Sequence, residues 1–182
     1  MVLRFFAAPN GLLSHDTAQV AVHAIGRWWK KMGSKRYPAA KELMITADGG
    51  GSNGSRCRWW KVALQALAVR LAMPIHVCHF PPGARKWNKI EHRMFCHITQ
   101  NWRGRPLVSH DVIIHLIVNT TTRAGLKIRA ELDRGIYPTG LKITVAELSG
   151  LKLKLAKFHG DWNVHVPAPT QINLNNLFSR DA

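Results

Sequence analysis

From Thr17 onward, apolar residues recur at helical spacing. Ala18, Val22, Ile25, Trp28, Trp29 and Met32 stand mostly three or four apart, behind Asp16 as an N-cap and ahead of Gly33 as a stop, with Lys30 and Lys31 in the last turn. This predicts a helix from Asp16 to Gly33. Pro38 then breaks the chain, and the short apolar run Leu43 to Ala47, closed by Asp48 and a glycine cluster, predicts a buried strand. Ser55 to Ala72 carries Trp59, Trp60, Val62, Ala63, Leu64, Ala66, Leu67 and Leu71 and predicts a second helix. Pro74 introduces a second strand, Ile75 to Phe80. Pro81, Pro82 and Gly83 make a loop before a third helix, Lys86 to Trp102, and Ser109 to Asn119 is a further helical stretch with Asp111 near its start. From Leu126 to Phe158 the chain is basic with irregular apolar spacing, and no element is assigned there.

The order helix, strand, helix, strand, helix is an α/β pattern. Two strands joined by a crossover helix lie parallel and present functional residues at their C-terminal ends, and Asp48 stands at such an end. In the third helix, placing residues at about 100° each from Trp87 gathers Trp87, Ile90, Met94, Phe95, Ile98 and Trp102 on one arc. Glu91 falls inside that arc, whereas Lys89, His92, Arg93 and Cys96 fall outside it. A carboxylate so placed faces the core or the floor of a cleft and needs a cation, a donor or a proton. If Asp48 and Glu91 converge, two carboxylates on a basic protein suit a hard cation for phosphodiester chemistry, and the alternative for Glu91 is a core ion pair.

Composition narrows the partner. The chain has 182 residues and is 46% apolar, enough for one ordinary domain. Its 26 Lys and Arg against 10 Asp and Glu give a formal charge of +16 and a pI near 10.7. A polyanion is the expected partner, by counterion release. There is no apolar run long enough for a membrane span, and Met1 to Ala8 is too short for a signal peptide, so a cytoplasmic protein is expected. Cys57, Cys78 and Cys96 form no CxxC pair and indicate neither a disulfide framework nor a ribbon-type zinc site.

Other motifs compete with this reading. Gly49, Gly51 and Gly54 spell GxGxxG between a strand and a helix, but no acid lies between Asp48 and Glu91 to bind a ribose, so a turn passing close to other backbone is favoured over a dinucleotide site. His76, Cys78 and His79 on one strand, with His92, Cys96 and His97 on the next helix, suggest zinc. Strand alternation opposes it, turning His76 and Cys78 to one face and His79 to the other; surface histidines and buried cysteines are the simpler expectation. One tryptophan of each adjacent pair belongs to the core. Arg85, Lys86, Lys89 and Arg93 form a basic cluster suited to phosphate contacts.

Three stretches, ITADGGGSNG (Ile45 to Gly54), HFPPGARKWNKIEHR (His79 to Arg93) and TQNWRGRPLVSHDVI (Thr99 to Ile113), closely resemble the DDE-type transposases of bacterial insertion sequences known as the Rhodopirellula-type family. The likeness runs from about His15 to Asn163 and includes HDTA, RWWKKMGSKRYP, TTRAGLKIRAELD, YPTGLKIT and KFHGDWN. The resemblance implies a ribonuclease H-like, integrase-type fold, in which three carboxylates hold two Mg²⁺ (or Mn²⁺) for cleavage and transfer of DNA strands at insertion-sequence ends. Asp48 matches the second acid and Glu91 the third, in the setting Asn88, Lys89, Ile90, Glu91. The glycine loop Gly49, Gly50, Gly51 and Asn53 lies beside the site, and Arg85, Lys86, Asn88, Lys89 and Arg93 are the implied DNA contacts. No organic cofactor is implied. Gly83, Ala84 and Arg85 depart from the family's Gly-Thr-Ser, trading hydroxyls for a charge.

The first acid belongs on a strand well upstream of the first helix, and no acid precedes Asp16, which aligns with a non-catalytic position. The expectation is an incomplete ribonuclease H-like α/β fold lacking most of its N-terminal strand meander. Its divisions are a non-matching segment 1–14, a partial catalytic domain 15–122, a basic extension 123–166 and a flexible tail 167–182. Such a truncated fragment is expected to be inactive alone, to hold metal weakly and to leave a strand edge unpaired unless Val2 to Ala8 fills it. The alternatives are a non-enzymatic DNA-binding remnant, associating with itself or inhibiting full-length transposase, and more remotely a dinucleotide-binding enzyme.

Overall fold

The computed structural model describes residues 2–6, 17–133, 135–137 and 139–168; for 2–6 it describes the backbone only. In chain order the elements are β1 (Val2–Phe6), α1 (Ala18–Trp28), β2 (Leu43–Ala47), α2 (Arg58–Leu71), β3 (Ile75–His79), α3 (Cys96–Trp102), α4 (His110–Val118), β4 (Arg129–Asp133), α5 (Val145–Ser149), β5 (Lys154–Leu155) and β6 (Asn163–Val166). They divide into two compact units. One comprises Met1–Asp16 and Gly83–Pro138, the other Thr17–Pro82 and Thr139–Ala182.

The second unit carries a four-stranded sheet in the order β2-β3-β6-β5. β2 and β3 are parallel, with Leu43 opposite Ile75 and Ala47 opposite His79, and α2 is the crossover between them, as the alternation predicts. β6 runs antiparallel to β3, and β5 antiparallel to β6. The far edge of β3 is therefore filled by a strand that lies just beyond the stretch without a clear pattern. β1 does not join this sheet; it pairs in parallel with β4 in the other unit, Phe6 opposite Asp133. Among the described residues the outer edge of β2 has no neighbouring strand.

One face of the sheet makes the core. Leu43, Ile75, Val77, Val164 and Val166 point into it against Trp60, Ala63, Leu64, Leu67 and Ala68 of α2, and Ala18 and Val22 of α1 add to the cluster. Full burial of such a side chain stabilises by about 1.5–3 kcal/mol, so α2 is held firmly across both strands. β2 is buried on one side only: Met44 and Thr46 are exposed, correcting the expectation of a wholly buried strand. β2 lies at the edge of a mixed sheet with one solvated face, and that face sets this alternation.

Helix boundaries differ from the pattern in instructive ways. Thr17, not Asp16, caps α1, its hydroxyl accepting from the Val20 N–H at 3.3 Å; Asp16 lies outside the described residues. Gly33 does not stop the helix. The chain continues through a π-turn, Trp29–Gly33, and a last turn, Ser34–Arg36, before Tyr37 leaves helical geometry. α2 begins at Arg58 rather than Ser55 and ends on Ala72 in the left-handed conformation at φ 50°.

The other unit has its own small core of Met94, Ile98, Ile117 and Ile128. The predicted helix Lys86 to Trp102 is not continuous. Ala84–Trp87 forms a separate 3₁₀ turn, the helix starts at Lys89, and a π-turn, Glu91–Phe95, precedes α3. Ile90, Met94, Phe95, Ile98 and Trp102 do face the core, but Trp87 is 58% exposed because it precedes the helix. α4 starts at the predicted place, with Ser109 accepting from Val112 N–H and Asp111 in the first turn. Of the predicted tail, only Pro167 and Ala168 lie among the described residues.

Candidate functional site

Asp48 follows the last residue of β2 and is exposed. It therefore stands at the carboxyl end of a parallel strand pair, where open α/β sheets bind ligands. The following loop is built close to itself. A Cβ at position 54 would lie 2.9 Å from the Gly49 carbonyl oxygen and 3.3 Å from that of Gly51, so glycine is required there. The GxGxxG spacing thus reflects backbone approach within the loop. Asn53 belongs to a single 3₁₀ turn, Gly51–Asn53, and Gly49 and Gly50 are exposed beside Asp48.

His79 ties that loop to the sheet. It is the last residue of β3, only 7% exposed, and its ring nitrogens lie 2.7 Å from the Trp162 carbonyl oxygen and 2.8 Å from that of Asn53. The ring can donate to either carbonyl, and to both when doubly protonated. The sequence pattern offers His79 as a zinc ligand or a surface histidine, and its burial corrects this. Its place at an inward position of an alternating strand is the available signal. On the outward face the His76 and His165 rings meet at a tilt of 47°, centroids 4.4 Å apart, and His76 lies 3.1 Å from a Glu42 carboxylate oxygen. Cys57, Cys78 and Cys96 are half-buried rather than buried. Among the described residues no group of three His, Cys, Asp or Glu side chains is placed to hold a metal.

Glu91 and the basic cluster lie in the other unit, so the two candidate acids belong to different compact units of the chain. The side chains of Glu91 and Arg85 are not among those described, which puts the predicted inward direction of Glu91 outside the described structure. Glu91 opens the π-turn. Asn88 has a local role: its Oδ1 accepts from the Ile90 N–H at 3.4 Å at the start of the helix. Lys86, Lys89 and Arg93 are exposed, and His92 Nε2 lies 3.2 Å from the Lys86 carbonyl oxygen, joining the 3₁₀ turn to the helix. A buried acid not singled out in the sequence, Asp133, is 3% exposed and accepts from Gly135 N–H and Tyr137 O–H, both at 2.9 Å. It shapes the turn after β4.

Residues 10–168 match the family described as the Rhodopirellula transposase DDE domain, so the chain belongs to this family of DDE transposases. The match begins ahead of His15 and extends past Asn163. No curated protein and no solved structure matches the chain. Membership implies interaction with DNA, and the family generally uses a divalent metal. Among the described residues no helix is long and apolar enough to cross a membrane.

Proposed function

We propose that Asp48 and Glu91 are two of the three carboxylates that hold divalent metal at a centre for DNA strand cleavage and transfer, on a ribonuclease H-like fold. The observation that carries this is the exposed Asp48 at the carboxyl end of β2, backed by a glycine loop fastened through His79. Carboxylates suit the chemistry, since Mg²⁺ and Mn²⁺ take hard oxygen ligands and keep positions open for water and phosphate. Bound there, the metal would activate the attacking oxygen and offset charge on phosphate. The chain's own part is to hold the acids and to position DNA, through Lys86, Lys89 and Arg93 with Arg85 beside them. The outer edge of β2, without a neighbouring strand among the described residues, is the position at which such a fold would carry its acid-bearing first strand. With two acids of three, a polypeptide of these 182 residues binds metal weakly, binds DNA, and does not cleave it alone.

The test is a nicking assay on plasmid and element-end DNA with Mg²⁺ or Mn²⁺, alongside a DNA-retention assay. DNA retention without cleavage is the expected result. Robust metal-dependent cleavage lost in both Asp48→Ala and Glu91→Ala would overturn the inactivity while supporting the two site residues. Cleavage unaffected by either substitution refutes the site.

A further inference from the structure

The run from Arg27 to Lys41 holds six cations, Arg27, Lys30, Lys31, Lys35, Arg36 and Lys41, and no acid occurs from Thr17 to Lys41. Lys30, Lys31, Lys35 and Arg36 are all exposed, on the continuous helical stretch that passes from α1 through the π-turn to Arg36. A helix C-terminus favours one or two cations through its dipole. Lys31 and Lys35 stand four apart, a spacing at which like charges repel, and a solvated face ordinarily mixes both signs.

The backbone beneath them is fixed by packing. Gly33 is buried under the indoles of Trp28 and Trp29; a Cβ there would meet the Trp29 ring at 2.5 Å and the Trp28 ring at 3.1 Å. Both tryptophans pack on the core of their unit, so the cations project from a held surface. Just past the helical stretch Tyr37 is 55% exposed, next to Arg36 in the chain.

We infer that this face, formed by Lys30, Lys31, Lys35 and Arg36 with Tyr37 at its end, is a second DNA-binding surface that grips the phosphate backbone of a duplex. It rests on the DNA reading above but uses none of the DNA-contacting residues assigned there, Arg85, Lys86, Lys89 and Arg93, which lie in the other unit. A polyanion with charges at regular short spacing rewards such a cluster through counterion release. A membrane surface suits it less, because an interfacial helix needs a free apolar face, whereas Ile25, Trp28 and Trp29 are packed against the core. Tyr37 offers a ring for a sugar or base edge next to the phosphate contacts.

The experiment measures binding of the 182-residue chain to a short duplex by fluorescence anisotropy between roughly 50 and 200 mM salt. One variant carries Lys30→Gln, Lys31→Gln, Lys35→Gln and Arg36→Gln; a charge-preserving one carries Lys30→Arg, Lys31→Arg and Lys35→Arg; a third carries Lys86→Gln, Lys89→Gln and Arg93→Gln. The four-Gln variant should bind about tenfold or more weakly, with the slope of log affinity against log salt reduced by about 2–4, since each phosphate that is no longer neutralised takes about 0.9 from it. The Arg variant should keep both affinity and slope. If the four-Gln variant is unfolded by circular dichroism, Lys35→Gln with Arg36→Gln reads the same slope at two exposed positions. Unchanged affinity and slope while the third variant weakens overturns this surface and leaves the DNA reading standing. No duplex binding by the unaltered chain overturns both. Stronger binding to anionic phospholipid vesicles than to duplex, lost in the four-Gln variant, overturns the choice of partner.

Discussion

Replacing His79 by Phe removes both polar ring atoms while keeping a ring of similar size at the inward end of β3. The two carbonyl oxygens it serves are not equally exposed to the change. That of Trp162 also accepts from the His79 main-chain N–H, at 3.2 Å, and keeps this partner in the variant. That of Asn53 is deprived of the ring nitrogen that stands 2.8 Å away. Leaving a buried acceptor without its donor costs about 1–3 kcal/mol, and the Asn53 interaction is only partly buried, which places the cost in the lower half of that range. Extra apolar surface on Phe returns under about 1 kcal/mol. The net expectation is about 1–2 kcal/mol of lost stability, read by urea unfolding with an unchanged slope. The destabilisation should be concentrated in the loop beside Asp48. Trypsin has sites at Arg56 and Arg58 just beyond that loop, and where cleavage follows the population of the open form, about 1.4 kcal/mol raises it tenfold. A His79→Phe variant within about 0.5 kcal/mol of the parent, cut by trypsin at the same rate, would show that the ring does not fasten the loop.

Leu67→Ala, at a fully buried position of α2, should cost about 2–5 kcal/mol in urea unfolding, and less than about 1 kcal/mol would contradict the packing of α2 across β2 and β3. Ala72→Gly should raise stability by roughly 1 kcal/mol, seen as a higher thermal midpoint, because φ at 50° strains any residue with a Cβ. The His165 imidazole is held below its ordinary 6.5, first by partial burial and then by repulsion from His76 and Lys154, with Glu42 pulling the other way. As pH falls past 6.5 the unfolded chain takes up this proton before the folded one. The stability contribution present above 6.5 is therefore lost as pH falls through the folded value. Proton NMR titration of His165 should show the lowered midpoint, and His165→Gln should flatten the loss of stability over that range.

Where short-range signals suffice, the sequence is legible. β2 and β3 lie where apolar runs end in Asp48 and in the Pro81–Pro82 loop, and their parallel pairing follows from the helical run between them. Capping shifts by one residue in α1 because Asp16 and Thr17 both suit the position and local geometry decides between them. Gly33 reads as a terminator, yet its missing side chain instead makes room for two indoles inside a continuing helix. β6 is hidden because its alternation runs for only four residues, Asn163 to Val166, and follows a stretch without periodicity. Only pairing with β3 reveals it.

The two acids consequently rest on different physical grounds. Asp48 is placed by a local signal, an apolar strand ending in an acid and a glycine turn, and the structure carries that residue to the exposed carboxyl end of β2. The inward direction of Glu91 comes from counting about 100° steps from Trp87, and the backbone does not keep a uniform step: Trp87 precedes the helix and Glu91 begins a π-turn with more residues per turn. The core positions Ile90, Met94 and Ile98 keep their mutual four-residue spacing whatever the starting phase. The side chain of Glu91 itself lies outside the described residues. The assignment of Glu91 therefore rests on the motif Asn88, Lys89, Ile90, Glu91 within a family that the chain as a whole belongs to. Asp48→Ala and Glu91→Ala must accordingly be read as separate measurements, since a failure at Glu91 leaves the strand-end argument for Asp48 intact.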